Sequence, residues 1–296
     1  MQNQESYDWL RLLWTPGLDF EMTRLLLEKL GLPEEILAAG FRQLNQYVPQ
    51  EVAIALSRPA NANLHERIEK TLHWLNSHPD ARLVTLIDPS YPRSMLQSGA
   101  PVIAFFAWGD MTLLEQPSIA FIGASQLSST GLDITRQWSV DLSARSLSVV
   151  AGPGQGAQRE SLRAIAQYAR GRMIYLPTHC LSADEDAQAI GYMAKHGLVL
   201  SLLGPYEDYP DVNEQGLSQS RMMLALCQGF IVVEAALSAP AMKLAKEALD
   251  LHRTVMAIPG SIYSPLSKGP HKLIKEGAFL VETTLEVLAE MKSWRQ

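Results

Sequence analysis

The chain reads as an α/β protein with an open, mostly parallel sheet and a small helical module in front of it. Three observations predict this. From Ser118 onward, short apolar runs alternate with amphipathic stretches of helical length, the pattern of βαβ units. Before about residue 80 the apolar residues recur at helical spacing instead. The first three runs after Ser118 each end in a turn containing Gly or Pro, where an open α/β sheet hands over to a helix and where ligands bind. At 296 residues, 47% hydrophobic and 19% charged, the chain can bury at least one full core.

Taken in order, Leu10, Leu13, Leu25, Leu26, Leu30, Ile36 and Leu37 carry the helical pattern, punctuated by Pro16-Gly17 and Gly31-Leu32-Pro33. A longer helix over Asn61 to Ser77 puts Leu64, Ile68, Leu72 and Leu75 on one face, and His78-Pro79 stops it. Residues 1–78 are therefore expected to fold as a unit of their own. Residues 79–117 read as a connecting segment with one short buried strand, Leu83 to Ile87, followed by the turn-rich Asp88-Pro89-Ser90-Tyr91-Pro92. The main domain, 118–296, has expected strands at Ser118–Gly123, Ser148–Ala151, Arg172–Leu176, Leu198–Leu202, Phe230–Glu234, Thr254–Ile258 and Phe279–Val281, with helices between them.

Charge narrows the function. A net charge of −6 opposes a broad electrostatic grip on nucleic acid, whose affinity comes from counterions displaced by Lys and Arg. The imbalance is local, however: residues 1–115 hold 9 basic and 14 acidic side chains, whereas 116–296 hold 16 and 17, which leaves room for a basic patch in the second part. Met1 to Trp14 lacks the basic-then-apolar layout of an export signal, and no apolar run is long enough for a membrane span. The expected compartment is the cytoplasm. Cys180 and Cys227 are too few for a disulfide framework and lack the spacing of a metal knuckle, so both are expected to be core thiols, with no metal bound.

The turn Gly152-Pro153-Gly154-Gln155-Gly156 opens into a helix near Gln155. Its backbone amides suit a phosphate, although glycines can also serve only to permit a tight turn. It lacks the Gly-Lys-Ser/Thr ending of an ATPase loop, and its glycine spacing departs from the dinucleotide fingerprint, so no cofactor is expected. Arg159 and Arg163 share one helix face just beyond, with Arg170 and Arg172 following; they form either a phosphate-contacting stripe or a solvated face with Glu160 as counter-ion. Lys268, His271, Lys272 and Lys275 make a second basic group after Pro259-Gly260. Ser125 and Ser128 occupy the first turn with no identifiable His/Asp partner, so no catalytic residue is assigned. Glu234 ends a strongly apolar strand, where a carboxylate needs a partner. It is either a site residue, a cap for the helix that follows it, or the partner of an arginine such as Arg221.

The order of motifs resembles that of the DprA/Smf DNA-processing family. It is carried by Ile122-Gly123-Ala124-Ser125, Ala151-Gly152-Pro153-Gly154-Gln155-Gly156, Ser220-Arg221-Met222-Met223 before Val232-Val233-Glu234-Ala235, Ala257-Ile258-Pro259-Gly260, and Gly269-Pro270-His271-Lys272-Leu273-Ile274-Lys275-Glu276-Gly277-Ala278. The resemblance implies an extended Rossmann-like, doubly wound fold behind a helical, SAM-like module. It also implies binding of single-stranded DNA, delivery of that DNA to the RecA recombinase, a homodimer, and no catalytic turnover. The implied DNA or phosphate site comprises Gly123, Ser125, Gly152, Gly154, Gly156, Arg159, Arg163, Arg221, Lys268, His271 and Lys272. The departures are as specific as the matches. Ser125 stands where the family has an arginine, Gln158 where it has an aspartate, and Leu162 where a histidine is expected. Gln219-Ser220-Arg221 keeps only the last member of an Arg-Asn-Arg triplet, and Ser238-Ala239-Pro240 replaces Ser-Gly-Ser. The chain stops at Gln296, without the winged-helix module that many members append. Such changes fit a divergent member with a weakened pocket. They also leave open a nucleotide-derivative sensor, a phosphoribohydrolase-like enzyme for which no catalytic set can be assembled beyond Glu234 and Arg221, and a scaffold paralogue acting through protein partners.

Overall fold

Strands made almost wholly of Val, Ile, Phe and Ala cannot leave either face in water, so helices must cover both. The computed structural model describes residues 2–96, 101–145, 147–152, 154–167, 172–182, 187–207 and 212–292. Among the described residues nine strands form one sheet: β1 (Ala81–Thr85), β2 (Ala104–Gly109), β3 (Ser118–Ile122), β4 (Ser148–Ala151), β5 (Met173–Tyr175), β6 (Leu198–Ser201), β7 (Gly229–Val232), β8 (Thr254–Ala257) and β9 (Phe279–Leu280). Their order is β1-β2-β6-β5-β4-β3-β7-β8-β9. Among the described residues only β1–β2 and β2–β6 pair antiparallel, and the remaining pairs are parallel.

Side chains alternate across the sheet as the strand pleat requires. Ala120, Ile122, Val150, Ile174, Phe230 and Val232 pack into one cluster. It is covered by Met222 and Met223 of helix Val212–Leu226, Leu244 of Pro240–Asp250 and Leu273 of Lys268–Lys275. Ile119, Phe121, Val149, Ala151, Ile231 and Val233 face the other cluster. There they meet Trp138 and Leu142 of helix Ser129–Ala144, Leu162 and Ile165 of Ala157–Gln167, and Ile190 of Ala187–His196. The sheet is thus doubly wound and mostly parallel, as the sequence predicts, and the expected parallel strands lie within two residues of the observed ones at each end.

Two features differ from the sequence reading. The expected strand Leu83 to Ile87 lies at β1, Ala81–Thr85, and it joins the sheet through β2, which the sequence reading did not place. An isolated apolar run with no helix after it breaks the βαβ rhythm, and its antiparallel partner β6 lies about ninety residues downstream. Residues 79–117 therefore extend the main sheet by two strands. The amino-terminal helices divide their packing as well. Leu12, Leu26, Ile36, Leu44, Val52 and Leu56 form a small core of their own. Leu10 of helix Gln2–Leu13 and Ile68, Leu72 and Trp74 of helix Ala62–Ser77 instead join Phe106 and Val199 under the main sheet. Arg67 reinforces this junction, stacking 3.9 Å over the Trp14 ring and pairing with Glu207 beyond β6. Helical periodicity reveals an apolar stripe but not what covers it. Both cysteines are buried, and among the described residues no helix is long and apolar enough to cross a membrane.

Candidate functional site

The chain leaves β3 for β4, β5 and β6 on one side and returns on the other side of β3 as β7. Strand order reverses there, and the helices that follow β3 and β7 diverge to opposite faces, which opens a crevice at the carboxyl ends of the strands. A cleft of ≈ 720 Å³ lies at this point. Its walls include Gly123, Ser125 and Gln126 after β3, Gln155 and Gln158 around the second turn, Ser220 of helix Val212–Leu226, Ser238 to Ala241 after β7, and Leu266.

The glycines make this arrangement. A Cβ at Gly123 would lie 2.7 Å from the Glu234 carbonyl oxygen, the same oxygen that accepts the Ala124 N–H at 2.5 Å. Gly156 has a left-handed φ of +65°, and a Cβ there would collide with the Ala124 carbonyl oxygen. The turns after β3 and β4 therefore lie side by side in contact, as the strand-turn-helix order predicts. Gly152 leaves space for the Gln219 side chain, whose amide donates to the Leu176 carbonyl at 2.9 Å and ties the turn after β5 to helix Val212–Leu226. Gly154 touches the Gln158 side chain, and the Gly152 N–H reaches Gln158 Oε1 at 3.3 Å. Pro153, the remaining member of this turn, lies outside the described residues, as does Arg170.

Glu234 is explained by neither the helix after it nor an arginine. Its carboxylate accepts the Ser128 N–H at 2.8 Å and the Ser128 hydroxyl at 2.6 Å. Ser128 in turn caps helix Ser129–Ala144 by accepting the Gly131 N–H at 3.1 Å. A negative charge at a helix amino terminus is favourable, and Gly131 leaves room for it, since a Cβ there would sit 2.7 Å from Glu234 Oε2. Glu234 thus binds the end of β7 to the helix that follows β3, fixing both walls of the cleft. Helix Pro240–Asp250, by contrast, starts at Ala239 with no side-chain cap; its first turn lines the cleft, with the Met242 N–H bonded to the Ala239 carbonyl at 2.9 Å and Pro240 carrying no N–H.

Among the described residues lining the cleft there is no Lys, Arg, Asp or Glu; hydroxyls, amides, glycine backbone and apolar groups make this surface. The basic residues of the predicted site are not among those lining the cleft; they lie on helices of both sheet faces. Arg159 and Arg163 are exposed on the helix that packs with one sheet face. Arg163 pairs with Glu160 at 3.7 Å. Glu160 is itself buried and gripped by both Nε and Nη2 of Arg136, at 2.9 and 2.7 Å, a clamp the sequence reading missed because Arg136 lies on a different helix. Arg221, exposed, follows Ser220 on the other face. On that face also, Lys268 Nζ donates to the Ile262 carbonyl at 2.7 Å, His271 Nε2 lies 3.1 Å from the Gly260 carbonyl oxygen, and Lys272 pairs with Glu276 at 3.8 Å. Arg172 is remote from the cleft, in a separate depression with Asp80, Asp110 and Lys195. The lining residues Ser125, Gln158, Ser220, Ala239 and Pro240 stand at positions whose departures from the family pattern read in sequence as losses. Being uncharged, they carry little signal of their own.

A family model described as DNA recombination-mediator protein A matches residues 82–292. Among curated relatives, DNA processing protein DprA of Streptococcus pneumoniae (strain ATCC BAA-255 / R6) is 31% identical over 217 residues, covering 70% of this chain and 73% of the relative. Protein Smf of Escherichia coli (strain K12) is 28% identical over 227 residues, 76% of this chain and 60% of the relative. The X-ray structure of the Streptococcus pneumoniae DprA superposes with a TM-score of 0.72 at 26% identity, covering 96% of this chain and 97% of that one. A Helicobacter pylori DprA structure, solved for its single-stranded DNA binding mode, has a TM-score of 0.60 at 20% identity, covering 72% and 96%.

Proposed function

The chain belongs to the DNA recombination-mediator protein A family, and on that premise we propose that it is a non-catalytic DNA-processing protein that holds single-stranded DNA and passes it to the RecA recombinase. The observation that carries this reading is the meeting of the turns after β3 and β4 and the start of helix Pro240–Asp250 in one cleft, with no carboxylate among its described lining residues. Backbone amides at helix starts suit phosphate oxygens, and hydroxyl and amide side chains complete such a site without reading sequence. In this reading Gly123 and Ser125 line the proposed site, and Gly152, Gly154 and Gly156 shape the turn beside it. Arg159, Arg163, Arg221, Lys268, His271 and Lys272 form a basic frame that attracts the strand and meets its outer phosphates. The recombinase partner comes with the family. A homodimer is supported by the edge strand β9, where Phe279 and Leu280 are about half exposed and the unpaired edge invites a second copy; sedimentation of a Leu280→Glu variant as an unchanged oligomer would remove that support. A protein that handles DNA for a recombinase works in the cytoplasm.

A second reading has its own observation. A neutral cleft of ≈ 720 Å³ is the size of a small-molecule site, which favours a sensor of a nucleotide derivative. Fluorescence anisotropy with a short oligonucleotide at low and moderate salt decides between the two. Neutralising Arg221 together with Lys272 is expected to weaken binding by roughly 1–3 kcal/mol and to reduce the logarithmic salt slope by about 1.4, two contacts at about 0.7 each on a single strand. Ser125→Arg, which places a cation on the cleft wall, is expected to strengthen binding. Absence of salt-sensitive binding in both wild type and Ser125→Arg, with a mononucleotide raising the melting temperature, replaces this reading with the sensor.

A further inference from the structure

Between β8 and β9 the chain builds a projecting loop beside the cleft. Its far end, Leu266, is a cleft wall, and the Leu266 carbonyl accepts the Ala235 N–H at 2.7 Å, docking the loop against the residue after Glu234. Tyr263, three residues earlier, is 91% exposed, and Ile262 beside it is 65% exposed. Three consecutive peptide steps bring Tyr263 Cα within about 11 Å of Leu266 Cα at most, so an exposed ring is carried on the same short loop that supplies a cleft wall.

The tip is held rather than loose. Lys268 Nζ bonds the Ile262 carbonyl at 2.7 Å, Ser261 Oγ accepts the Tyr263 N–H at 3.3 Å, and the Ser261 carbonyl accepts the Ser264 N–H at 3.0 Å. Ser264 Oγ then caps the turn Pro265–Ser267 through the Leu266 N–H at 3.3 Å. A side chain with no burial of its own, carried on a loop with this many braces, is pre-organised for something that arrives from solvent.

The charge around it says what arrives. From Pro259 to Lys275 the sequence carries Lys268, His271, Lys272 and Lys275 and no Asp or Glu. An exposed aromatic ring ahead of a basic helix, whose Lys272 is paired with Glu276, suits a ligand that offers a flat π-face and a nearby phosphate, which is a nucleotide in an unpaired strand. We propose that Tyr263 is a stacking platform for a base of single-stranded DNA whose phosphates lie along the cleft and the Lys268–Lys275 helix. The inference rests on the reading of the cleft as a single-strand site and adds to it a contact to the base rather than the backbone.

Tyr263→Ala and Tyr263→Phe test it, with an oligothymidylate and an abasic sugar-phosphate chain of equal length as probes in anisotropy titrations. Because the ring is almost wholly exposed, neither substitution leaves a cavity, and unchanged melting temperatures serve as the control for folding. Tyr263→Ala is expected to weaken oligothymidylate binding about tenfold, in the lower range of single base–aromatic stacks, with the salt slope unchanged since no phosphate contact is lost. Tyr263→Phe is expected to stay within about twofold of wild type, and the abasic chain to bind all three proteins alike. A 5-iodouracil oligonucleotide should photo-crosslink to the peptide containing Tyr263. Equal loss on the abasic chain would assign the loop to the backbone and overturn the stacking role. Salt-sensitive binding that is identical in wild type and Tyr263→Ala would overturn it while leaving the single-strand reading standing, and in that case a changed sedimentation of Tyr263→Ala would give the tip to self-association. Wild-type protein that binds neither probe would bring down the single-strand reading, and this inference with it.

Discussion

Replacing Gly156 by alanine should separate the two turns that build the cleft, and the structure gives the cost. A left-handed φ of +65° costs a residue with a Cβ about 1–2 kcal/mol. The added methyl would also overlap the Ala124 carbonyl oxygen and lie 3.0 Å from the Ala124 carbonyl carbon and 3.2 Å from that of Ser125. These are backbone atoms of the neighbouring turn, held in place by the Ala124 N–H bond to Glu234, so relief requires moving the turn. Overpacking of that kind adds about 1–3 kcal/mol. The total, about 2–5 kcal/mol, corresponds to a melting temperature lower by about 4–10 °C at about 2 °C per kcal/mol for a chain of this size. Two sister substitutions calibrate the reasoning. Gly154 is not left-handed, and its nearest neighbour is the movable Gln158 amide at 3.3 Å, so Gly154→Ala is expected within about 0.5 kcal/mol of wild type. Gly152→Ala evicts the Gln219 side chain and breaks its bond to Leu176, at about 1–2 kcal/mol. Urea unfolding midpoints with unchanged m-values measure all three. A Gly156→Ala protein as stable as Gly154→Ala would refute the claim that the turns are pressed together by glycine geometry.

Glu234→Ala is expected to destabilise by about 1–3 kcal/mol, because the Ser128 N–H and hydroxyl lose their acceptors, and Glu234→Gln by less than half as much; equal stability of Glu234→Ala and wild type in denaturant would count against the cross-cap. Deleting residues 1–78 removes Leu10, Ile68, Leu72 and Trp74 from the cluster beneath β2 and β6, so the shortened chain is expected to aggregate on size exclusion; a folded monomer starting at Asp80 would show that the sheet face needs no cover. The Asp141 carboxyl, on helix Ser129–Ala144, is held below its ordinary range first by the Thr284 hydroxyl and then by Arg145. Its contribution is therefore complete above the titration of the unfolded carboxyl and is lost as pH falls through the lowered folded value. The melting-temperature gap between wild type and Asp141→Asn should be full at neutral pH and close in acid, and a gap independent of pH would argue against the ionised form as the source.

The sequence by itself determined what depends on neighbours along the chain. Apolar runs such as Phe230-Ile231-Val232-Val233 read as strands buried on both faces, and Gly123 and Gly156 marked the strand-to-helix turns, with or without a phosphate to bind. The order of these motifs placed the chain in its family and put the turns on one edge of the sheet. Tertiary structure decided what depends on contacts between distant segments. The partner of Glu234 is Ser128, more than a hundred residues away, and no spacing rule selects it over Arg221. Arg136 reaches Glu160 across two helices, β2 finds β6 from outside the βαβ rhythm, and Leu72 and Trp74 turn from the helical module to the sheet. In each case the local pattern states that a group must be buried or paired, because an unpartnered carboxylate or apolar stripe is costly. The identity of the partner is set by topology, since strand order at the β3–β7 reversal determines which loops share the cleft, and none of the predicted basic residues is among those lining it.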